Sequence, residues 1–396
     1  MIFSKSAYYL SKAKKIIPEQ TMTMAKRADN YPIDFSPKYV QSAQGCEIID
    51  VDGNKFIDYT MGLGIFTLGY NYPRINNAVA KQLVDGTIYS LPHYLEIELA
   101  ELIIDVIPCG EMARFFKNGA DVTGLAIRLA RSYTGNNHII QSGYHGHHDW
   151  YSFLLRDSGT VRETKQYTHP VQYNDIHAIN ELINQYKGDV AGVVLETAFD
   201  EPKEGYIDDL RELCNSEGIV LIFDEMWTGF RFSNGGFQEF IGVTPDIALF
   251  SKGIANGYPI SVITGKSNIM ECFSKLWGFT TFGGEVLSIR AAIETIDEIK
   301  QENVIEYIWS TGSKLKAELS SLLKLYKLDD LITIKGYDCR FIFEYSDTTK
   351  NYKEILQKEL IQNHVLWNNM FVPSLSHKKD HIEKTIEAFD KALQKL

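Results

Sequence analysis

The stretch GIVLIFDE, Gly218 to Glu225, decides the fold: Ile219 to Phe223 run apolar without alternation and stop at two carboxylates, Asp224 and Glu225. A strand that is apolar on both faces is buried on both faces, as in a mostly parallel sheet, whereas a half-exposed strand alternates. Upstream, DVAGVVLE repeats the pattern, with Val190 to Leu195 ending at Glu196, and a third run, Ile247 to Phe250, ends at Ser251 and Lys252. Segments of helical period lie between such runs. GADVTGLAIRLARS (119–132) sets Val122, Leu125, Ala126, Leu129 and Ala130 on one face and Arg128 and Arg131 on the other. Near the end, 378–396, Ile382, Ile386, Phe389, Leu393 and Leu396 form one stripe, which predicts a terminal helix that packs. Strands alternating with helices predict an α/β fold. Carboxylates closing the strands then fall at the sheet edge where such folds take ligands.

At 396 residues the chain exceeds what one compact core usually accommodates, so two lobes are expected. A net charge of −11, from 51 acidic and 40 basic side chains, argues against broad affinity for nucleic acid or anionic membrane. An anionic ligand must therefore be caught by a local site. Cys46, Cys109, Cys214, Cys272 and Cys339 are odd in number and widely spaced, which suits free thiols in a reducing compartment. Lysines at 5, 12, 14 and 15 interrupt the start, so no signal peptide is read there. No apolar run is long enough to span a bilayer, and the cytoplasm is the expected location. Repeats, heptads and low-complexity tracts are absent.

Asp224 and Lys252 each directly follow a buried strand. A carboxylate there can keep a pyridine nitrogen protonated, and a desolvated lysine can form an imine. Taken alone, such a pair is far more often an ion pair or two solvated strand ends. The helix that opens at Asn118-Gly119-Ala120 presents free N–H groups and the positive end of its dipole, which can hold a phosphate, although most such helices cap themselves. His145, His147 and His148 in YHGHHD (144–149) invite a metal, but a spacing of two around a glycine fits no common site and no metal is expected.

Taken together, DVDGNKFIDYTMGLGIFTLGYNYP (50–73), NGADVTGLAIRLARSYTG, GYHGHHD, IFDEMWTGFR, FSKGIANGYPI, TTFGGE and LSHKKDHIEKTIEAF resemble the class III pyridoxal 5′-phosphate (PLP)-dependent aminotransferases, most nearly the branch with glutamate-1-semialdehyde aminomutase. The resemblance covers nearly the whole chain. It implies the fold type I PLP-dependent transferase architecture: a large PLP-binding domain with a mostly parallel sheet over 51–290, and a smaller α/β domain formed by 1–50 and 291–396. By the same resemblance Lys252 holds the cofactor as a Schiff base and shuttles the substrate proton, Asp224 pairs with the pyridinium nitrogen, and Tyr144 lies on the ring face. Asn118, Gly119 and Ala120 meet the phosphate, and His145 belongs to the cofactor side. Glu196 is either a carboxylate near the cofactor oxygen or substrate amine, or a strand-end Glu bound to backbone. Thr281 in TTFGGE reaches the phosphate across a homodimer interface.

The sequence departs from the aminomutase pattern mainly on the substrate side. Asn118-Gly119-Ala120 replaces Ser-Gly-Thr, with the Asn118 side chain a substitute donor. Gly62-Leu63-Gly64 replaces Ser-Trp-Gly and removes an aromatic wall. The carboxylate-clamping arginine aligns with Ala25-Lys26-Arg27, so Lys26 or Arg27 is expected to take that work, although a lysine cannot make the bidentate fork, and Asn369 stands about where the aminomutase has an acid. The expectation is an intermolecular aminotransferase acting on a small amino donor and a ketone or aldehyde acceptor. The alternative is an intramolecular aminomutase, and a catalytically silent scaffold is disfavoured by intact Lys252, Asp224 and Tyr144.

Overall fold

A computed structural model describes residues 1–197, 200–346 and 351–396. Contacts divide the chain into two compact units, one made of Met1–Pro73 with Asn303–Leu396 and the other of Arg74–Glu302. Residues 1–73 carry the helix Ser4–Ile16 and strands β1 (Val40–Gln44), β2 (Glu47–Asp50) and β3 (Lys55–Asp58). Residues 74–302 carry β4 (Met112–Phe116), β5 (His138–Ser142), β6 (Thr168–Pro170), β7 (Val190–Glu196), β8 (Val220–Asp224), β9 (Ile247–Phe250) and β10 (Ser261–Gly265). The C-terminal segment adds β11 (Ile332–Tyr337), β12 (Arg340–Tyr345), β13 (Val365–Leu366) and β14 (Met370–Phe371).

In the 74–302 unit one sheet runs β4-β10-β9-β8-β7-β5-β6. The predicted apolar runs become β7, β8 and β9, in which every residue is buried. Each fully buried aliphatic or aromatic side chain there contributes about 1.5–3 kcal/mol, which is why unbroken runs concentrate at the sheet centre. β5, β7, β8 and β9 are mutually parallel, whereas β10 is antiparallel to both β9 and β4. β6 is parallel to β5 and β4 points the same way as β9, so six strands deliver their C-terminal ends to one edge. The amphipathic segment forms the helix Gly119–Thr134, which buries Val122, Leu125, Ala126, Leu129 and Ala130 and is closed by Gly135 at φ 76°.

In the other unit β1-β2-β3-β13 and β11-β12-β14 form two small sheets. The terminal helix, Lys379–Leu393, buries Ile382, Phe389 and Leu393 against a core that includes Trp367, Phe371 and Leu319. The boundaries differ from the expected 50/51 and 290/291. β3 pairs in parallel with β13, Ile57 opposite Val365, which ties 51–73 to the chain ends. The helix Val286–Gln301 packs on the helix Leu95–Val106 and on the turn Lys252–Ala255, which keeps 291–302 with the large sheet. Among the described residues, no helix is long and apolar enough to cross a membrane.

Candidate active site

The common edge of the large sheet gathers most of the residues singled out in the sequence. Glu196 and Asp224 are register partners at the ends of β7 and β8, Asp224 lies opposite Leu249 of β9, and Lys252 follows three residues later. The loop after β5 supplies Tyr144 and His145, and Asn118 precedes the helix that follows β4.

Asp224 is buried and its Oδ2 lies 2.8 Å from Nδ1 of His145, itself buried, while its Oδ1 accepts the Met226 N–H at 3.1 Å. His145 Nε2 lies 3.1 Å from the Ser142 carbonyl, which can only accept, so Nε2 carries a proton. The ring is thus held between the Asp224 carboxylate and the Ser142 carbonyl, and the imidazole is a fixed brace. Spacing alone did not distinguish His145 from His147 and His148; the family resemblance did. The fold does so too: His148 Nε2 lies 3.7 Å from Asp121 Oδ1, and among the described residues no group of three or more His, Cys, Asp or Glu is placed to hold a metal.

Glu196 Oε2 accepts the Tyr144 N–H at 2.7 Å, so its carboxylate is bound to backbone. Burial, and after it the Asp224 charge, push the Glu196 carboxyl above its ordinary range. Gly143 makes this approach possible. At φ 109° it sits where L side chains rarely go, and a Cβ there would stand 2.3 Å from the Glu196 Cβ. The Tyr144 ring is half exposed and meets Tyr151 edge-on at 5.8 Å. Glu225, next to Asp224, belongs to a different network. It is fully buried and accepts from Thr228 Oγ1 at 2.9 Å, from Gln238 Nε2 at 3.0 Å, and from the backbone N–H groups of Phe237 and Gln238. Burial raises its carboxyl to about 7.

Lys252 adopts φ 43°, a left-handed conformation that costs a non-glycine residue about 1–2 kcal/mol and marks a backbone held by its surroundings. Its Nζ lies 4.4 Å from the ring centroid of Trp227. Met226 lies under the start of the phosphate-type helix, where a Cβ on Gly119 would come 3.1 Å from its Sδ. Ala120 abuts Gly146 of the histidine loop just as closely. The Asn118 Nδ2 donates to Asp121 Oδ2 at 3.2 Å, as does its backbone N–H. Sequence reading missed Gly143, Met226 and Trp227. The sole signal for the last two was their place directly after Asp224. Thr281 is exposed, in a segment where Trp277, Phe279 and Phe282 are exposed as well.

Lys26, Leu63 and Asn369 all belong to the unit built from the chain ends. Lys26 and Leu63 line one cavity of about 440 Å³, walled largely by apolar side chains such as Tyr31, Phe66 and Leu366 and containing the buried Asp58. Arg27 also lines it, but its guanidinium is paired with Asp29 through Nε and Nη2 and with Glu19 through Nη1. Asn369 is committed elsewhere: its Nδ2 donates to the Phe343 carbonyl at 2.8 Å and its Oδ1 accepts from the Tyr345 hydroxyl at 3.1 Å.

Residues 28–393 match the class III aminotransferase family. The chain is 35% identical over 400 residues to the glutamate-1-semialdehyde 2,1-aminomutase of Methanococcus vannielii, covering 91% of this chain and 92% of that protein. It is 33% identical over 421 residues to the enzyme of the same name from Methanosarcina acetivorans, covering 97% of each. Its fold is similar to that of the Sphingopyxis sp. MTA144 FumI protein in its PLP internal aldimine form (TM-score 0.93, 24% identity, 99% of this chain and 96% of that one). It is also similar to a glutamate-1-semialdehyde aminomutase from Pseudomonas aeruginosa PAO1 in complex with PMP (TM-score 0.85, 20% identity, 99% and 94%). With a family match that spans the two units, this chain belongs to the class III aminotransferases, PLP-dependent enzymes of fold type I.

Proposed function

We propose that the protein moves an amino group from an amino donor to a ketone or aldehyde acceptor, with Lys252 as the amine that holds PLP covalently. The sheet edge fits that group chemically: a helix start with no Cβ at Gly119, a buried carboxylate braced by an imidazole, and an amine all lie at one edge of the unit. When bound, PLP supplies an aldehyde that takes up amines and a protonated pyridine ring that accepts the electron pair released at the substrate carbon. Gly119 and Ala120 offer their N–H groups to its phosphate. Asp224 would pair with the protonated ring nitrogen, and His145, with Nδ1 2.8 Å from its Oδ2, holds that carboxylate in orientation. Lys252 Nζ would hold the cofactor and, as a free amine, would move the proton at the substrate carbon. Tyr144 would cover the ring face. Glu196 keeps the Tyr144 backbone in place, which supports the positioning alternative for that carboxylate.

The observation that carries the reading is the buried Asp224–His145 pair at the edge that also delivers Lys252. Exposed Trp277 (81%), Phe279 (64%) and Phe282 (60%) around Thr281 support a homodimer in which Thr281 reaches the phosphate of the second copy. All five cysteines are buried free thiols, which supports a reducing, cytoplasmic setting.

Transfer between two substrates, rather than within one, is supported by the substrate-side residues. An aminomutase must keep its substrate clamped through two proton transfers. Here Arg27 is neutralised by Asp29 and Glu19, Leu63 provides no aromatic wall, and Asn369 is turned to backbone. The aminomutase reading is favoured by the names of the relatives at 33% and 35% identity. The PLP-loaded enzyme mixed with its amino donor alone separates the two. An aminotransferase releases one keto product per site, stops, and resumes on addition of a carbonyl acceptor. Continuous isomerisation of a single amino aldehyde with no second substrate overturns the proposal in favour of the aminomutase.

A further inference from the structure

We infer that Trp227 is a positioning residue for Lys252, its indole face holding the protonated amine whenever that amine is not bonded to the cofactor; the inference rests on reading Lys252 as the cofactor-bearing residue. The Nζ-to-centroid distance of 4.4 Å is within cation–π range, and indole is the strongest of the aromatic acceptors.

Both partners are held by the fold. The turn carrying Trp227 is pinned on either side. Met226 N–H donates to Asp224 Oδ1 at 3.1 Å. Thr228 Oγ1 bonds Glu225 Oε2 at 2.9 Å and Thr197 Oγ1 at 2.8 Å, and Gly229 N–H returns to the Glu225 carbonyl at 2.9 Å. Gly229 admits no side chain, since a Cβ would meet Phe250 at 2.3 Å. On the other side the Lys252 backbone is fixed at φ 43°, with Ser251 Oγ donating to the Ile260 carbonyl at 2.8 Å. Two short, rigid turns after adjacent strands therefore present an ammonium to an indole face.

A ring face attracts the ammonium and gives little to the neutral amine, so Trp227 shifts the Lys252 equilibrium toward the charged form. The nearby Glu196 carboxylate acts in the same direction. Of these groups the ring alone can be removed without disturbing the Asp224–His145 pair. Its share amounts to about one pH unit in the protonation midpoint. It also localises Nζ, so that the amine released from the cofactor stays at the sheet edge rather than turning to solvent.

The test uses the apoprotein and needs no turnover. Lys252 reactivity toward an acylating reagent is read by peptide mass spectrometry as a function of pH, with Lys117 as reference in the same unit. Trp227→Leu is expected to lower the midpoint of Lys252 by about one pH unit and leave that of Lys117 in place, and Trp227→Phe to recover about half of the shift. A midpoint for both variants within about 0.3 unit of the parent overturns the inference. So does an equal shift in Phe and Leu variants, because that marks lost packing rather than lost ring. The underlying reading fails separately: borohydride treatment of the parent with PLP would then leave Lys252 unmodified.

Discussion

Asp224 and Glu225 are adjacent carboxylates at the end of one strand, and the structure gives them different work, which Glu225→Gln can expose. The parent carboxyl, raised by burial to about 7 from an ordinary value of 4.5, is protonated in both folded and unfolded chains below pH 4.5 and then has no effect on stability. Between those two values the unfolded chain has released its proton and the folded chain has not. Stability then falls as pH rises, by about 1.4 kcal/mol per pH unit. Above pH 7 both states are ionised and the deficit stays at about 3 kcal/mol. Glutamine does not titrate but offers one acceptor oxygen where two served Thr228, Phe237 and Gln238. It therefore costs about 1–3 kcal/mol at low pH. The expected outcome is that the variant's deficit in urea denaturation of the apoprotein, measured beside the parent, shrinks or reverses by about 3 kcal/mol between pH 4.5 and pH 8. A difference between the two proteins that stays constant within about 1 kcal/mol across that range refutes the reasoning.

Lys252→Ala is expected to lose turnover altogether and to yield no borohydride-fixed cofactor on this peptide, even where PLP is retained through its phosphate; parent-like steady-state activity would contradict the assignment. Asp224→Asn keeps the shape but not the charge at the ring nitrogen, so kcat/KM should drop on the order of a hundredfold, about 3 kcal/mol, and a loss under about tenfold would remove Asp224 from that role. Gly143→Ala forces a Cβ to within 2.3 Å of Glu196 at φ 109°. It should cost about 1–3 kcal/mol in thermal unfolding and weaken PLP binding in titration, whereas an unchanged melting temperature and affinity would show that the loop absorbs the methyl group.

The strand cores and the edge they point to were legible because burial on both faces leaves an unbroken apolar run, and because side chains directly after a strand must emerge at its end. That sufficed for β7, β8 and β9, for the helix Gly119–Thr134, and for Glu196, Asp224 and Lys252. Local chain chemistry does not fix direction or partnership. Asp224 and Glu225 point to opposite sides of the strand end, and only the docking of Gly236 to Gln238 beneath Glu225 and of His145 beside Asp224 makes one a structural acceptor and the other a braced carboxylate. Trp227 became relevant once β9 was set beside β8 and Lys252 came over its ring. Arg27 lost its availability to Asp29 and Glu19, and the unit boundary moved because Ile57 pairs with Val365, 308 positions along the chain. The sequence by itself determined which residues must be buried and which chemistry stands at strand ends, since transfer free energy and period act residue by residue. The pairing of those groups was decided by tertiary structure, because a hydrogen bond or a cation–π contact depends on a few ångströms between segments that no local pattern encodes.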